Sequence, residues 1–312
     1  MSQALYENIL RDMHRFDAGE TALVARELLA LKSRTYDIKY PGLKSRLFCP
    51  MASDVNAGAE AIAYHQYDQY GAAKIITANA KNVPRVDVSK AEFSTPVKTL
   101  GVAYGIEWHA LKRQGMSGGM SLLEMRARAA RRAIEQGIDD IMATGDEPSG
   151  LEGMINHSAV TVASATYGAM SANSAEDNYK ELAEAVTFIE DATKGIHQVT
   201  QIILPITQYQ KIATQPWSTT ASELTVLEFF KRNHPNVSVD HWYKLTDAAA
   251  NGTDDRMVVY AKDPEVLEGQ LPLDFEQLPP EAQGLELVIH CLARVGGVQV
   301  RYPKAMRYLD GV

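Results

Sequence analysis

The stretch from Ser121 to Thr144, SLLEMRARAARRAIEQGIDDIMAT, constrains this chain more than any other. At 1.5 Å rise per residue it reads as one helix of about 35 Å. Ser121 followed by Glu124 is a capping-box signature at its start. Leu123, Ala127, Ala130, Ile134, Ile138 and Ile141 recur at steps of three and four, so they share one face. The other face carries Glu124, Arg128, Arg131, Arg132, Glu135 and Asp139, with Glu124–Arg128 and Arg131–Glu135 spaced for i,i+4 pairing. Such a mixed-charge face is either solvated surface or one half of a polar contact with another subunit. The pattern by itself favours solvent.

A chain of 312 residues is long enough for two domains or one elaborate one. Its 46% hydrophobic and 22% charged content is that of a folded protein with a real core. A net charge of −8 without a long basic run argues against gripping nucleic acid, which needs clustered Lys and Arg. It is compatible with a wall that faces nucleic acid without holding it. Cys49 and Cys291 stand alone, without a CxxC partner, and are expected to stay reduced. No apolar run approaches a membrane span, and the start, MSQALYENILRDMHRF, is not signal-like.

Residues 3 to 32 read as two helical pieces broken near Asp17-Ala18-Gly19, and the segment from Tyr40 to about Gly58 reads as an extended arm. AEAIAYHQY and AAKIITANA are short strand candidates joined through Asp68-Gln69-Tyr70-Gly71, and VPRVDV is a third. A run this polar would bury little on its own domain and is better explained as a projecting hairpin. In TPVKTLGVAYGIEW, Leu100, Val102, Tyr104, Ile106 and Trp108 alternate with small residues, the signature of a half-buried strand. Asn173 to Lys194 is a second amphipathic helix, with Tyr179, Leu182, Val186 and Ile189 inward. QVTQIILP reads as a buried strand, SELTVLEFFKRN as a helix capped by Ser222, and VSVDHWYKL and RMVVYA as strands. LELVIHCLARV and VQVRYP read as a hairpin around Gly296-Gly297. Helices and strands mix without steady βαβ alternation, so the class is α+β.

Gly115-Met116-Ser117-Gly118-Gly119 matches GxSxG and would make Ser117 a hydrolase nucleophile. The elbow needs a strand running into the serine and a helix leaving at once. Here the polar HALKRQ precedes it and the helix begins only at Ser121, so a glycine-rich connection is the simpler reading. The same loop lacks the GK[ST] ending of a phosphate loop. Glu107 and His109 share a strand face, but there is no HExxH or close His pair. Asp139, Asp140, Asp146 and Glu147 lack calcium-loop spacing and read as a solvated turn; His241 beside Trp242 reads as a packed histidine. No enzyme activity, cofactor or metal is expected.

The order of elements carries a resemblance. An amphipathic arm, a long polar hairpin (AYHQYDQYGAAKIITANAKNVPRVDV), a strong strand and the long helix come first. GDEPSGLEGMINH, TVLEFFKRNHPNVSV and the closing RVGGVQVRYPKAMRYLDGV come after them. From about Gly58 to Val312 this resembles the major capsid proteins of tailed bacteriophages, with the Hong Kong 97-type fold shared with bacterial encapsulin shells. The resemblance implies an N-terminal arm (1–57), an extended loop over a neighbouring subunit (58–96), and a peripheral domain (97–197) with a spine helix at 121–144. It further implies an axial domain (198–283), a return hairpin to the peripheral domain (284–302) and a closing axial segment (303–312). The implied function is structural: hexamers and pentamers close into an icosahedral head shell around double-stranded DNA, assembled in the host bacterial cytoplasm and residing in the virion. Arg128, Arg131, Arg132 and Glu135 on the helix, and Tyr67, Tyr70, Lys74 and Lys81 on the loop, are then candidate subunit contacts. An encapsulin-type storage shell is the alternative architecture, and a hydrolase using Ser117 the alternative class.

Two departures matter. The residues before the hairpin are too few for a large cleavable scaffolding segment, so a separate scaffolding protein is expected, or an already processed chain. Portal and decoration proteins are further expected partners. Some relatives crosslink a loop lysine to a late asparagine; Lys74, Lys81 and Lys90 could serve, but the last asparagine here is Asn251. No such isopeptide bond is expected.

Overall fold

A computed structural model describes residues 41–52, 54–75, 85–107, 122–218 and 224–312. They fall in the compact unit from Leu43 to Val312, apart from the two residues before it. The helical pieces at 3–32, the GxSxG loop with Ser117, the cap residues Ser121 and Ser222, Trp108, His109 and Lys81 lie outside the described residues.

The aperiodic stretch before Gly58 is not all free arm. A short helix, α1 (Ser45–Phe48), buries Phe48 and the adjoining Cys49 completely in the core. Phe48 packs on Trp242 at 5.3 Å between ring centroids, and its carbonyl accepts from the Tyr260 hydroxyl at 2.7 Å. One helical turn is too short for periodicity to show. Only its partners reveal it.

Two ten-residue strands, β1 (Ala61–Tyr70) and β2 (Asp87–Pro96), pair antiparallel over their whole length, from Ala61↔Pro96 to Tyr70↔Asp87. The expected turn at Asp68–Gly71 is corrected: Asp68 to Tyr70 continue the strand, and Gly71–Ile75 is not strand. The alternation of tyrosines at 64, 67 and 70 with polar residues suits a ribbon solvated on both faces, so no break was needed. From His65 to Tyr70 and from Asp87 to Ser94 every residue is exposed. Only the base touches the body: Gln299 Nε2 donates to Ile62 O (3.3 Å) and Thr95 Oγ1 (3.1 Å), and Arg301 lies over Tyr64.

After Val97 the chain enters β3 (Lys98–Glu107), whose Leu100, Val102 and Tyr104 alternate inward as expected. Helix α2 (Leu122–Thr144) crosses this sheet, with Ala130, Ile134, Ile138 and Met142 buried at its contact. Past its end, β4 (Gly145–Asp146) and β5 (Leu151–Glu152) form a small ladder that turns back on the helix. The amides of Met154 and Ile155 donate to the carbonyls of Met142 and Ala143, both at 2.9 Å. That close approach explains the glycines of TGD…GLEG. Gly145 has φ +74, and a Cβ on it or on Gly153 would sit 2.3 or 2.4 Å from a backbone oxygen.

A five-stranded sheet forms the second half. Its strands are β6 (Thr161–Ser164), β7 (Gln201–Leu204), β8 (Ser238–His241), β9 (Arg256–Tyr260) and the late strand of Met306–Asp310. Ile203, Val258, Tyr260 and Tyr308 face the core under α2, while Ile202, Leu204, Met257, Val259 and Leu309 face a second core. Burial on both faces is why QIIL and RMVVY read as unbroken apolar runs. The second core is closed by α3 (Ala175–Ala192), α4 (Ile206–Thr214) and α5 (Val226–Asn233). Helix α4 has no counterpart among the elements expected from the sequence. The cap of α5 is Thr225, not Ser222: Thr225 and Glu228 make a complete capping box, whereas Ser222 has Thr225 at the third position.

The remaining strands are β10 (Leu267–Gly269), β11 (Leu273–Gln277), β12 (Glu281–Gln283), β13 (Glu286–Val295), β14 (Val298–Val300) and β15 (Met306–Asp310), the late strand that lies between β6 and β9. The expected hairpin around Gly296-Gly297 is corrected. β13 pairs with β3 over ten residues, Lys98↔Val295 to Glu107↔Glu286, while β14 leaves to pair with β10. The glycine pair is a corner between two sheets. The tight reversal lies instead at Gly284-Leu285, between β12 and β13.

Candidate subunit-contact surfaces

The outer face of α2 presents Glu124, Arg128, Arg131 and Arg132 to solvent, with Glu135 half-buried. Arg131 Nε donates to Glu135 at 2.9 Å, as the spacing predicts, and its guanidinium lies 5.8 Å from the Phe275 ring centre. The Glu124–Arg128 pair does not form; Arg128 has no ion-pair partner among the described residues.

Asp139 corrects the charged-face assignment. It is 1% exposed, accepts from the Ser45 amide at 2.8 Å and meets Lys244 Nζ at 2.6 Å. Asp140, in the same helix, shares that ammonium at 2.7 Å but stays exposed, so of the two only Asp139 leaves the solvated side. Asp146 is half-buried and Glu147 exposed. Lys44 Nζ donates to His241 O at 2.6 Å, which ties the same corner to β8. His241 itself, half-buried, packs on Tyr209 at 5.0 Å, as a packed histidine should.

On the hairpin, Tyr67 is 62% and Tyr70 55% exposed, and both stand well clear of the body. Tyr70 donates its hydroxyl to Asp87 at 3.2 Å, and Lys90 Nζ lies 6.0 Å from the Tyr67 ring centre. Lys74 is exposed just beyond the last strand pair. Among the described residues, Tyr67 and Tyr70 thus lie on the ribbon, Lys74 just beyond it and the other set on α2, and the two sets do not meet within one chain.

A buried polar cluster escaped sequence reading. Arg256, 3% exposed, makes two hydrogen bonds to Asp310 at 2.6 and 2.7 Å and one to Ile155 O at 2.8 Å. Its guanidinium lies 4.9 Å from the Tyr308 ring centre, and the Tyr308 hydroxyl donates to Met154 O at 2.6 Å and accepts from the His157 amide at 3.1 Å. Burial alone would raise the Asp310 carboxyl; the hydrogen bonds from Arg256 and the Ala250 amide, together with the Arg256 charge, outweigh it and hold the carboxyl below its ordinary range. His157 Nδ1 accepts from the Ala159 amide at 3.2 Å and Nε2 faces Glu152 at 3.0 Å. Burial lowers its pKa and Glu152 only partly offsets this. The one available signal was Arg256 opening an otherwise apolar strand. This cluster is structural: its polar groups satisfy one another.

Nothing described points to catalysis. Among the described residues no group of three His, Cys, Asp or Glu side chains could hold a metal ion, and no helix is long and apolar enough to cross a membrane. Cys49 and Cys291 are free and buried, and burial pushes the Cys49 thiol up to about 12.

A search of curated proteins finds no match. Among solved structures, the capsid of Myoviridae phage XM1 is similar at 18% identity, over 92% of this chain and 98% of that one, with a TM-score of 0.82. The Mycobacterium phage Ogopogo structure is similar at 13% identity, with the same coverage and a TM-score of 0.63. A virus-like particle from Pyrococcus furiosus reaches a TM-score of 0.52 at 11% identity, over 84% of this chain and 90% of that one. A family model described as "Major capsid protein" matches residues 71–312. The solvated ribbon, the long helix on its sheet and the two-core second half are thus elements of the Hong Kong 97-type fold, and the chain belongs to the major capsid protein family.

Proposed function

We propose that many copies of this chain, grouped as hexamers and pentamers, close into an icosahedral phage head that encloses double-stranded DNA. The observation that carries this is the β1–β2 ribbon, exposed on both faces over most of its length. A lone two-stranded ribbon is at best marginally stable in water, and three or more strands or a packing surface are needed. A neighbouring copy supplies such a surface. Each contact can be modest, because closure of a shell multiplies it.

In this reading residues 1–57 act as the arm, 58–96 as the extended loop, 97–197 with 284–302 as the peripheral domain, and 198–283 with 303–312 as the axial domain. Arg128, Arg131, Arg132 and Glu135 on the helix, and Tyr67, Tyr70, Lys74 and Lys81 on the extended loop, are the candidate contacts between copies. The role is structural rather than enzymatic. A separate scaffolding protein, a portal and decoration proteins complete the head, which assembles in the host cytoplasm and ends in the virion. The net charge of −8 suits a wall that lets packaged DNA move freely. An encapsulin-type storage shell has less support, because the family match is to major capsid proteins.

Electron microscopy of the expressed protein, with and without the head genes of its own cluster, tests the proposal. Closed shells or sheets of hexamers are expected. A monomer under every condition would overturn it.

A further inference from the structure

Side chains on alternate pairs of a two-stranded ribbon share a face. One face of the β1–β2 ribbon carries Gln66, Asp68, Tyr70, Asp87, Ser89 and Ala91. Its only charges are the two carboxylates. The other face balances its own charges: His65 meets Glu92 at 3.7 Å, and Lys90 lies over Tyr67. Asp68 pairs with Ser89 and Asp87 with Tyr70, so the two aspartates are diagonal neighbours, roughly 7–8 Å apart and mutually repulsive. Asp87 accepts from Tyr70 and from the Val88 amide; Asp68 has no hydrogen-bond or ion-pair partner among the described residues. Lys74 and Arg85 lie beyond the last strand pair, and neither forms an ion pair with either carboxylate.

Helix α2 shows the converse. Arg128 and Arg131 are like charges three residues apart, about 5–6 Å on a helix surface. Arg128 has no anion among the described residues, and Arg131 spends one donor on Glu135. Each element thus holds a like-charge pair that its own chain compensates only in part: Asp68 and Arg128 have no ion-pair partner among the described residues, and Arg131 keeps donors beyond the one on Glu135. The two spacings match within the reach of an arginine side chain.

From these two patches we infer that the Asp68/Asp87 face of one copy's ribbon docks on Arg128 and Arg131 of a second copy's α2, with the His65/Lys90/Glu92 face turned away. The inference rests on the shell reading above and narrows it to one ribbon face and two carboxylates. Exposed pairs are individually weak, but the same contact repeated around a closed shell gives a steep dependence of assembly on charge.

The test is a charge swap on the full chain, read as particle yield by sedimentation and microscopy, with thermal melting of the unassembled protein as the folding control. Asp68→Arg with Asp87→Arg, and Arg128→Asp with Arg131→Asp, should each lower particle yield by about tenfold or more while the melt barely moves. The fourfold swap should restore yield to within about threefold of wild type. Arg131→Gln removes one of the two docking cations without reversing charge and should lower yield less than the reversal does. Wild-type yield from either double variant, or no recovery in the fourfold swap, overturns the pairing. So does an Arg131→Gln loss as deep as the reversal. Failure of all forms including wild type would instead overturn the shell reading itself.

Discussion

Ser45 and Lys244 reach Asp139 from opposite ends of the sequence, and the carboxylate they share is buried with them. Removing one partner of such a buried pair strands the other charge in low dielectric. Lys244→Ala, which leaves the buried Asp139 carboxylate with only the Ser45 amide, should therefore cost about 3–5 kcal/mol in chemical denaturation, and a cost below about 1 kcal/mol would show the site to be wetter than it looks. His157 gives a pH dependence. Its Nδ1 is an acceptor in the fold, and burial lowers its pKa from the ordinary 6.5. The unfolded chain then binds the extra proton first, so stability is level above about 6.5 and falls as pH drops toward the lowered folded value. Between about pH 7 and 5 the wild-type melting temperature should fall more steeply than that of His157→Asn, which keeps an acceptor but cannot charge. Parallel curves would remove His157 from the account.

At the scale of elements, α2 and the ribbon carry opposite loads. Ile138 is 1% exposed beneath the helix, and Ile138→Ala should destabilise the unit by about 2–5 kcal/mol. Tyr67→Ser with Tyr70→Ser lies on an exposed surface that none of the described residues covers, so the melt should move by no more than about 0.5 kcal/mol equivalent. The same double change should nonetheless reduce particle yield. A ribbon variant that unfolds the monomer would mean that the ribbon packs on its own body. Helix α5 depends on Thr225, and Thr225→Ala should cost about 1 kcal/mol by loss of the box with Glu228.

For the molecule as a whole, covalent crosslinking between copies is the relevant question. Asn251, the last asparagine, holds Asp254 at 2.6 Å and accepts from the Thr253 and Asp254 amides at 3.1 Å, within its own loop. Purified particles boiled in detergent should run as one band near 34.3 kDa. A ladder of multiples would show an isopeptide bond and reassign Lys74 or Lys90.

Local period and local chemistry are written in the chain itself. The apolar face of α2, the alternation in β3 and the unbroken runs of β7 and β9 were all legible, because each pattern repeats over enough residues to name its element. The solvated character of the β1–β2 ribbon was legible too, as a stretch too polar to bury. The candidate contacts on α2 and the extended loop followed from the family resemblance, since the charge pattern by itself favours solvent. Which residues meet across long separations was settled by the folded arrangement. The sequence shows no period in the single turn at Ser45–Phe48, and an aspartate on a charged helix face looks solvated until Ser45 and Lys244 arrive. Two strands around a glycine pair look like a hairpin until β3 and β10 claim them separately. In each case the deciding partner lies far away in the chain, and a local pattern carries no record of a partner brought by the fold.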